Sequence, residues 1–163
     1  MAISFTLNGD RVSSDADPTA LLVSVIRDDL RKTGTHIGCD TSQCGACNVL
    51  LDGIPVKSCT LLLGQVEGHE VTTIEGLASD ETLHPMQQAF KDEHGLQCGF
   101  CTPGMVMTGI GIAHRHGANV EKDVIAHELE GNLCRCTGYV NIVNAIQAGA
   151  AAMANQPRQE AAE

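Results

Sequence analysis

Eight cysteines in a chain of 163 residues are the side chains best placed to do chemistry. They fall into two sets. The first is Cys39, Cys44 and Cys47, spaced C-x4-C-x2-C, with Cys59 further along. The second is Cys98-x2-Cys101 together with Cys134-x-Cys136. Thiols in such groups either pair as disulfides or ligate metal as thiolates. The opening segment, Met1 to Gly9, has neither the basic stretch nor the apolar run of an export signal, so the expected compartment is reducing and favours metal ligation.

The first spacing is that of plant-type 2Fe–2S ferredoxin loops. Bridging sulfides accept backbone N–H groups, so the chain must approach closely, and Gly38, Gly45 and Ala46 leave room for it. Three ligands on one loop fix most of such a cluster, and Cys59 closes the site. In the second set each pair precedes an expected helix start, at Thr102-Pro103 and at Thr137-Gly138-Tyr139. Helix N-termini carry free N–H groups and partial positive charge, which favours an anionic thiolate cluster. Zinc also takes four thiolates, but Cys134-x-Cys136 is tighter than its usual knuckles. A Rieske centre needs two histidine ligands, and no Cys-x-His occurs. Iron–sulfur is favoured on spacing, with zinc and disulfides as the open alternatives.

The surrounding elements are short. Ile3–Leu7 alternates, Asn8-Gly9 is a hairpin turn, and Arg11–Ser14 returns. Asp17-Pro18 reads as an N-cap and first helical position. With Leu22, Val25, Ile26 and Leu30 at helical spacing, it predicts an amphipathic helix over Thr19–Lys32. Residues 34–46 break every period and read as a loop. Asn48–Leu51 and Ile54–Ser58 flank Asp52-Gly53, a second hairpin, and Val71–Ile74 is a short strand. Beyond about residue 83 the pattern turns helical: Pro85–His94, a helix opened by Thr102-Pro103, Glu121–Glu130, and Tyr139–Met153. The expected fold is α+β, with a sheet-and-helix domain over residues 1–76, a four-helix domain over 77–155, a linker at Gly76–Thr82 and a mobile tail over 156–163.

Composition narrows the functions. Hydrophobic residues make up 43%, aromatics 2% and tryptophan is absent, so the core must come from Val, Ile, Leu, Ala and Met. Small units with few large side chains gain from metal cross-links. A formal net charge of −10 argues against nucleic acid as a partner. The acidic segments Asp15–Asp17, Asp28–Asp29 and Glu160–Glu163 read as solvated faces. No run approaches the ~18 apolar residues of a membrane span. His114 and His116 do not share a helical face, His36 reads as structural, and Met105 and Met107 as core filler. No phosphate loop, Ser/His/Asp arrangement or carboxylate pair stands out, so no catalytic residue is expected in this chain.

Three segments carry a resemblance: Gly38-Cys-Asp-Thr-Ser-Gln-Cys-Gly-Ala-Cys47, Gln97-Cys-Gly-Phe-Cys-Thr-Pro-Gly-Met105 and Gly131-Asn-Leu-Cys-Arg-Cys-Thr-Gly-Tyr139. Across about residues 3–150 the chain resembles the iron–sulfur subunit of molybdenum hydroxylases, the xanthine oxidase family. Thr35-His-Ile-Gly-Cys-Asp-Thr-Ser and Val56-Lys-Ser-Cys-Thr60 look most like its aerobic carbon monoxide dehydrogenase branch. The resemblance implies a ferredoxin-like (β-grasp) domain followed by a helical 2Fe–2S domain. Cys39, Cys44, Cys47 and Cys59 would hold an outer 2Fe–2S cluster, and Cys98, Cys101, Cys134 and Cys136 an inner one. Gln97 and Cys136 would lie against the molybdopterin of a separate large subunit, and a medium FAD subunit would take the electrons. The implied assembly is a dimer of heterotrimers in the cytoplasm, able to sit against the cytoplasmic face of the membrane. The implied reaction is CO + H2O to CO2, two protons and two electrons. The same role in a purine, aldehyde, nicotinate or quinoline hydroxylase is the alternative, and a free-standing two-cluster ferredoxin a more distant one.

Overall fold

The computed structural model describes residues 2–79 and 82–155. In the N-terminal half two tight turns set the register. β1 (Ile3–Leu7) and β2 (Asp10–Ser14) pair antiparallel with Phe5 opposite Val12. Asn8 and Gly9 both take positive φ, 53° and 86°, the mirror-image turn whose twist matches that of the strands. Asp52 and Gly53 repeat the device, at 48° and 80°, between β3 (Asn48–Leu51) and β4 (Ile54–Lys57). β5 (Glu70–Thr72) then fills the middle of a sheet ordered β2-β1-β5-β3-β4, parallel to β1 and antiparallel to β3. The strand ends early because Asn8 captures Thr73, accepting from its N–H at 2.8 Å and donating to its hydroxyl at 3.0 Å.

The helix expected over Thr19–Lys32 is much shorter. α1 covers Leu22–Ser24 and runs into a π-helical turn at Val25–Asp29. Asp17 does not cap it; its Oδ1 accepts from the Thr19 N–H and hydroxyl in a local turn, which holds the carboxyl below its usual range. The preceding backbone is engaged elsewhere. Pro18 and Ala20 carbonyls accept from Gly64 and Leu63, and the Leu22 N–H donates to Leu61. Distant chain outcompeted the helix for those groups. The apolar spacing still served its purpose, because Leu22, Val25 and Ile26 are buried with Ile3, Phe5, Leu7, Val49 and Val71.

The second half contains α2 (Pro85–Asp92), α3 (Thr102–His116), α4 (Lys122–Glu128) and α5 (Val140–Ala154). His84 caps α2, its Nδ1 accepting from the Met86 N–H at 3.1 Å. Met86, Phe90, Met105, Met107, Ile110, Ile142 and Ile146 form this core, so methionines do the filling that the missing aromatics cannot. A 3-10 turn at Ile74–Gly76 leads into the linker, where Ser79 bridges to Thr82; residues 80–81 and the tail 156–163 lie outside the described residues.

α3 joins the two halves. One face carries Gly104, Thr108 and Gly111, and these meet Gly45, Asn48 and Pro55. A Cβ on Gly104 would strike the Gly45 carbonyl oxygen, and one on Gly111 the Pro55 ring. The other side presents Gly109 to Met86 and Ile146. β3 mirrors this double duty, with Val49 buried in the sheet core and Leu50 in the helical core. Overpacking such a contact costs about 1–3 kcal/mol. Gly111→Val should therefore lower the thermal midpoint of the full chain while leaving its far-ultraviolet circular dichroism native in shape before melting.

Candidate metal centres

The first cysteine set is assembled by the loop before β3 and the turn after β4. Cys39 Sγ accepts from the Cys44 N–H at 3.4 Å, and further N–H groups from Thr41 and Gln43 point at the same sulfur. These hydrogen bonds pull the Cys39 thiol down to about 6. Gly45 takes φ 69°, and a Cβ on Gly38 would lie 3.1 Å from Cys44 Sγ, so bulkier residues would crowd the sulfurs. The β3–β4 register brings in the fourth thiol. Asn48 pairs with Lys57, and Ser58 donates to the Cys47 carbonyl through its hydroxyl at 2.7 Å and its N–H at 3.3 Å. Cys59 follows in the 3-10 turn Ser58–Thr60, with its thiol in hydrogen-bonding reach of Cys47. Burial pushes Cys47 up to about 11.

The second set uses a helix terminus on one side only. Cys101 is the N-cap of α3, preceded by Gly99 at φ 82°. Cys134 and Cys136 were also expected at a helix start, but α5 begins at Val140 and Tyr139 stands before it at φ 68°. A closed turn orients that pair instead. The Tyr139 hydroxyl accepts from the Cys134 N–H at 2.9 Å and donates to the Asn132 carbonyl at 3.0 Å. The Thr137 hydroxyl donates to Cys134 Sγ at 3.1 Å. Burial acts to raise Cys134, but the bonds from Thr137 and Cys136 outweigh it and hold the thiol below its usual value. Burial pushes Cys101 up to about 12.

Within each set the thiols meet two by two. Cys39 lies with Cys44 and Cys47 with Cys59; Cys101 lies with Cys134 and Cys98 with Cys136. Among the described residues no three metal-binding side chains converge on a point for one ion. Four thiols in two pairs are the donor set of a binuclear 2Fe–2S cluster, so the residues fit that group. The buried Thr102 hydroxyl beside Cys101 has no partner among the described residues, and a thiolate–sulfide cluster supplies acceptors for such a donor.

The two sets are clasped together. The Leu133 N–H donates to the Cys44 carbonyl at 2.9 Å. Asn132 Nδ2 donates to the Gly45 carbonyl at 3.4 Å, and Asn48 Nδ2 to Thr108 Oγ1 at 2.8 Å. Thr108 Oγ1 also sits 2.9 Å from the Gly104 carbonyl and 3.2 Å from Asn132 Oδ1, one of which takes its single proton. A second clasp joins His36 to Phe100: Nδ1 lies 2.8 Å from the Phe100 carbonyl and the rings stack at 4.8 Å. His36 thus has the structural role read from the sequence. Asn48, Thr108 and Asn132 carried no local signal, being separated by 60 and 24 residues. Gln97, Cys98 and Cys136 are exposed, as are the clasp residues Phe100 at 49% and Leu133 at 57%.

The chain is similar in sequence and fold to known proteins. A 2Fe–2S iron–sulfur cluster binding domain model matches residues 5–77, and a [2Fe–2S] binding domain model matches residues 73–147. The chain is 48% identical over 150 residues to caffeine dehydrogenase subunit gamma of Pseudomonas sp. strain CBB1, covering 89% of this chain and 88% of that one. Its structure superposes on a chain of quinoline 2-oxidoreductase from Pseudomonas putida 86 with a TM-score of 0.88, at 42% identity over 94% of both. Aldehyde oxidoreductase from Desulfovibrio gigas matches with a TM-score of 0.88 at 38% identity, over 94% of this chain and 17% of that one.

The thiols should differ sharply in reactivity when metal is removed, because the thiolate is the nucleophile. Alkylation of the metal-free chain, followed by peptide mass mapping against pH, should reach its half-maximal rate at Cys39 near pH 6. Cys47 and Cys101 should resist until the pH approaches 11 and 12.

Proposed function

This chain belongs to the small iron–sulfur subunits of the molybdenum hydroxylases, and from that premise we propose that it carries electrons singly from a molybdenum-cofactor site on a large subunit to FAD on a medium subunit. The observation that carries this reading is two four-thiol sets clasped backbone to backbone, with one set opening at the surface. A 2Fe–2S cluster, when bound, supplies a one-electron carrier whose potential responds to the charges and hydrogen bonds around its sulfurs. Cys39 with Cys44, and Cys47 with Cys59, would hold the two irons of the outer cluster. Cys98 with Cys136, and Cys101 with Cys134, would hold those of the inner one. Residues 1–76 and 77–155 are the two domains on this reading.

The exposure of Gln97 and Cys136 suits them to lie against molybdopterin on the large subunit. The Leu133–Cys44 hydrogen bond holds the two thiol sets at a fixed separation. The low-lying Cys39 thiol and the N–H groups around it favour an anionic cluster close to solvent. No helix among the described residues is long and apolar enough to cross a membrane; we place the complex, a dimer of heterotrimers, in the cytoplasm and able to rest against the membrane face.

Substrate chemistry belongs to the large subunit. The relatives above are named for caffeine, quinoline and aldehyde, which supports water-dependent hydroxylation of an N-heteroaromatic ring or an aldehyde. Carbon monoxide oxidation is the second reading, favoured by the segments 35–42 and 56–60. Purified from its own source, the complex should hold about four irons per small chain, two for each cluster, together with FAD and molybdenum. Supplying N-heteroaromatics, aldehydes and carbon monoxide in turn, with an artificial electron acceptor, separates the two readings. Reduction should reveal two distinguishable paramagnetic centres. Cys136→Ser should abolish the inner signal and acceptor reduction while sparing the outer signal. Zinc in place of iron, or equal loss of both signals, would overturn the assignment.

A further inference from the structure

Lys57 is the last residue of β4, two positions before Cys59. Its Nζ donates to the Ser42 carbonyl at 2.9 Å and to the Gln43 carbonyl at 3.4 Å. Both carbonyls belong to the loop between Cys39 and Cys44. Ser42 is held in the left-handed region at φ 59°, and its hydroxyl lies 3.6 Å from Cys59 Sγ. A Cβ on Gly131 would come within 3.7 Å of the same nitrogen. The ammonium therefore fills the space between the outer cysteine loop and the segment leading to Cys134.

Its charge is not cancelled locally. Among the described residues no carboxylate forms an ion pair with Lys57, in a chain of net charge −10. Other charged neighbours of the cysteines are less confined. Asp40 and Arg135, flanking the outer and inner sets, are exposed, so solvent and salt screen them more strongly. Lys57 is half-buried and tied at two points.

We propose that Lys57 is a positioning residue that raises the potential of the outer cluster, straddling its loop and placing a fixed positive charge beside it. The inference rests on the cluster assignment made above. Reduction of such a cluster adds one electron, hence one negative charge, without a change of ligands. A nearby cation favours the reduced form. Because the same cation lies beside the outer set, it biases an electron shared between the two clusters toward the flavin side.

The test is a redox titration of the intact complex with mediators, reading each cluster by its own paramagnetic signal. Lys57→Gln removes the charge and keeps a donor for the loop carbonyls; Lys57→Arg keeps both. In Lys57→Gln the reduced-to-oxidised ratio of the outer cluster at fixed ambient potential should fall about tenfold, ~59 mV for one electron. The inner cluster should hold its value, and Lys57→Arg should titrate like the parent. An unmoved outer cluster, an equal shift in both clusters, or a Lys57→Arg shift as large as that of Lys57→Gln would overturn the proposal. Loss of the outer signal in Lys57→Gln would also overturn it, leaving Lys57 a purely structural strap. Lys57→Met, which removes the donors as well, should show the same selective shift, and a shift confined to Lys57→Met would overturn the role of charge. Absence of two cluster signals in the parent complex would instead refute the functional assignment, and is read independently of any variant.

Discussion

The contact between the Gly45 and Gly104 backbones is the constraint on which the rest of the structure turns. Neither position has space for a side chain: a Cβ on Gly104 would meet the Gly45 carbonyl, and one on Gly45 would meet Gly131 and Asn132 at 2.6–2.8 Å. Two irregular segments and a helix start therefore touch main chain to main chain. That closeness lets the Leu133 N–H reach the Cys44 carbonyl. It also lets Asn48 Nδ2, Thr108 Oγ1 and Asn132 Oδ1 bond in sequence along a buried polar seam, with Asn48 Oδ1 left without a partner among the described residues.

The two thiol sets differ in electrostatics as much as in scaffold. Around Cys39 the backbone points N–H groups at sulfur and lowers its proton affinity. Burial raises those of Cys47 and Cys101. Each set thus combines thiols that ionise readily with thiols whose charge needs a counter-ion. Metal ions of an iron–sulfur cluster provide that counter-charge and resolve the desolvation penalty. The few aromatic side chains are placed by the same logic. Phe5 and Phe90 are buried in the two cores, and Phe100 is left at the surface over the His36 ring.

The match to a 17% segment of the Desulfovibrio gigas aldehyde oxidoreductase places this fold inside a longer polypeptide in that protein. In the caffeine dehydrogenase and quinoline oxidoreductase relatives it spans most of one chain. A module that is used both fused and separate must meet its partners through its own surface. On this chain Phe100, Leu133, Gln97, Cys98 and Cys136 are all exposed.

Local chemistry made much of this legible. Asn8-Gly9 and Asp52-Gly53 announced the hairpins because left-handed turn residues act over two positions. Thr102-Pro103 marked the start of α3 because proline fits only a first turn. The cysteine spacings and the quoted segments led to the family. The apparent helix at Thr19–Lys32 failed because its N–H and C=O partners lie at residues 61–64, outside any local window. Tyr139 was placed in a helix that it only introduces, since its positive φ depends on the turn that its hydroxyl closes. By itself the sequence determined the element types, the small-residue loops and the two groups of thiols. Only the tertiary structure decided which thiols meet in pairs, which face of α3 joins the halves, and that Lys57 lies against the outer loop. Those outcomes depend on contacts between residues far apart in the chain, and distance along a sequence does not encode distance in space.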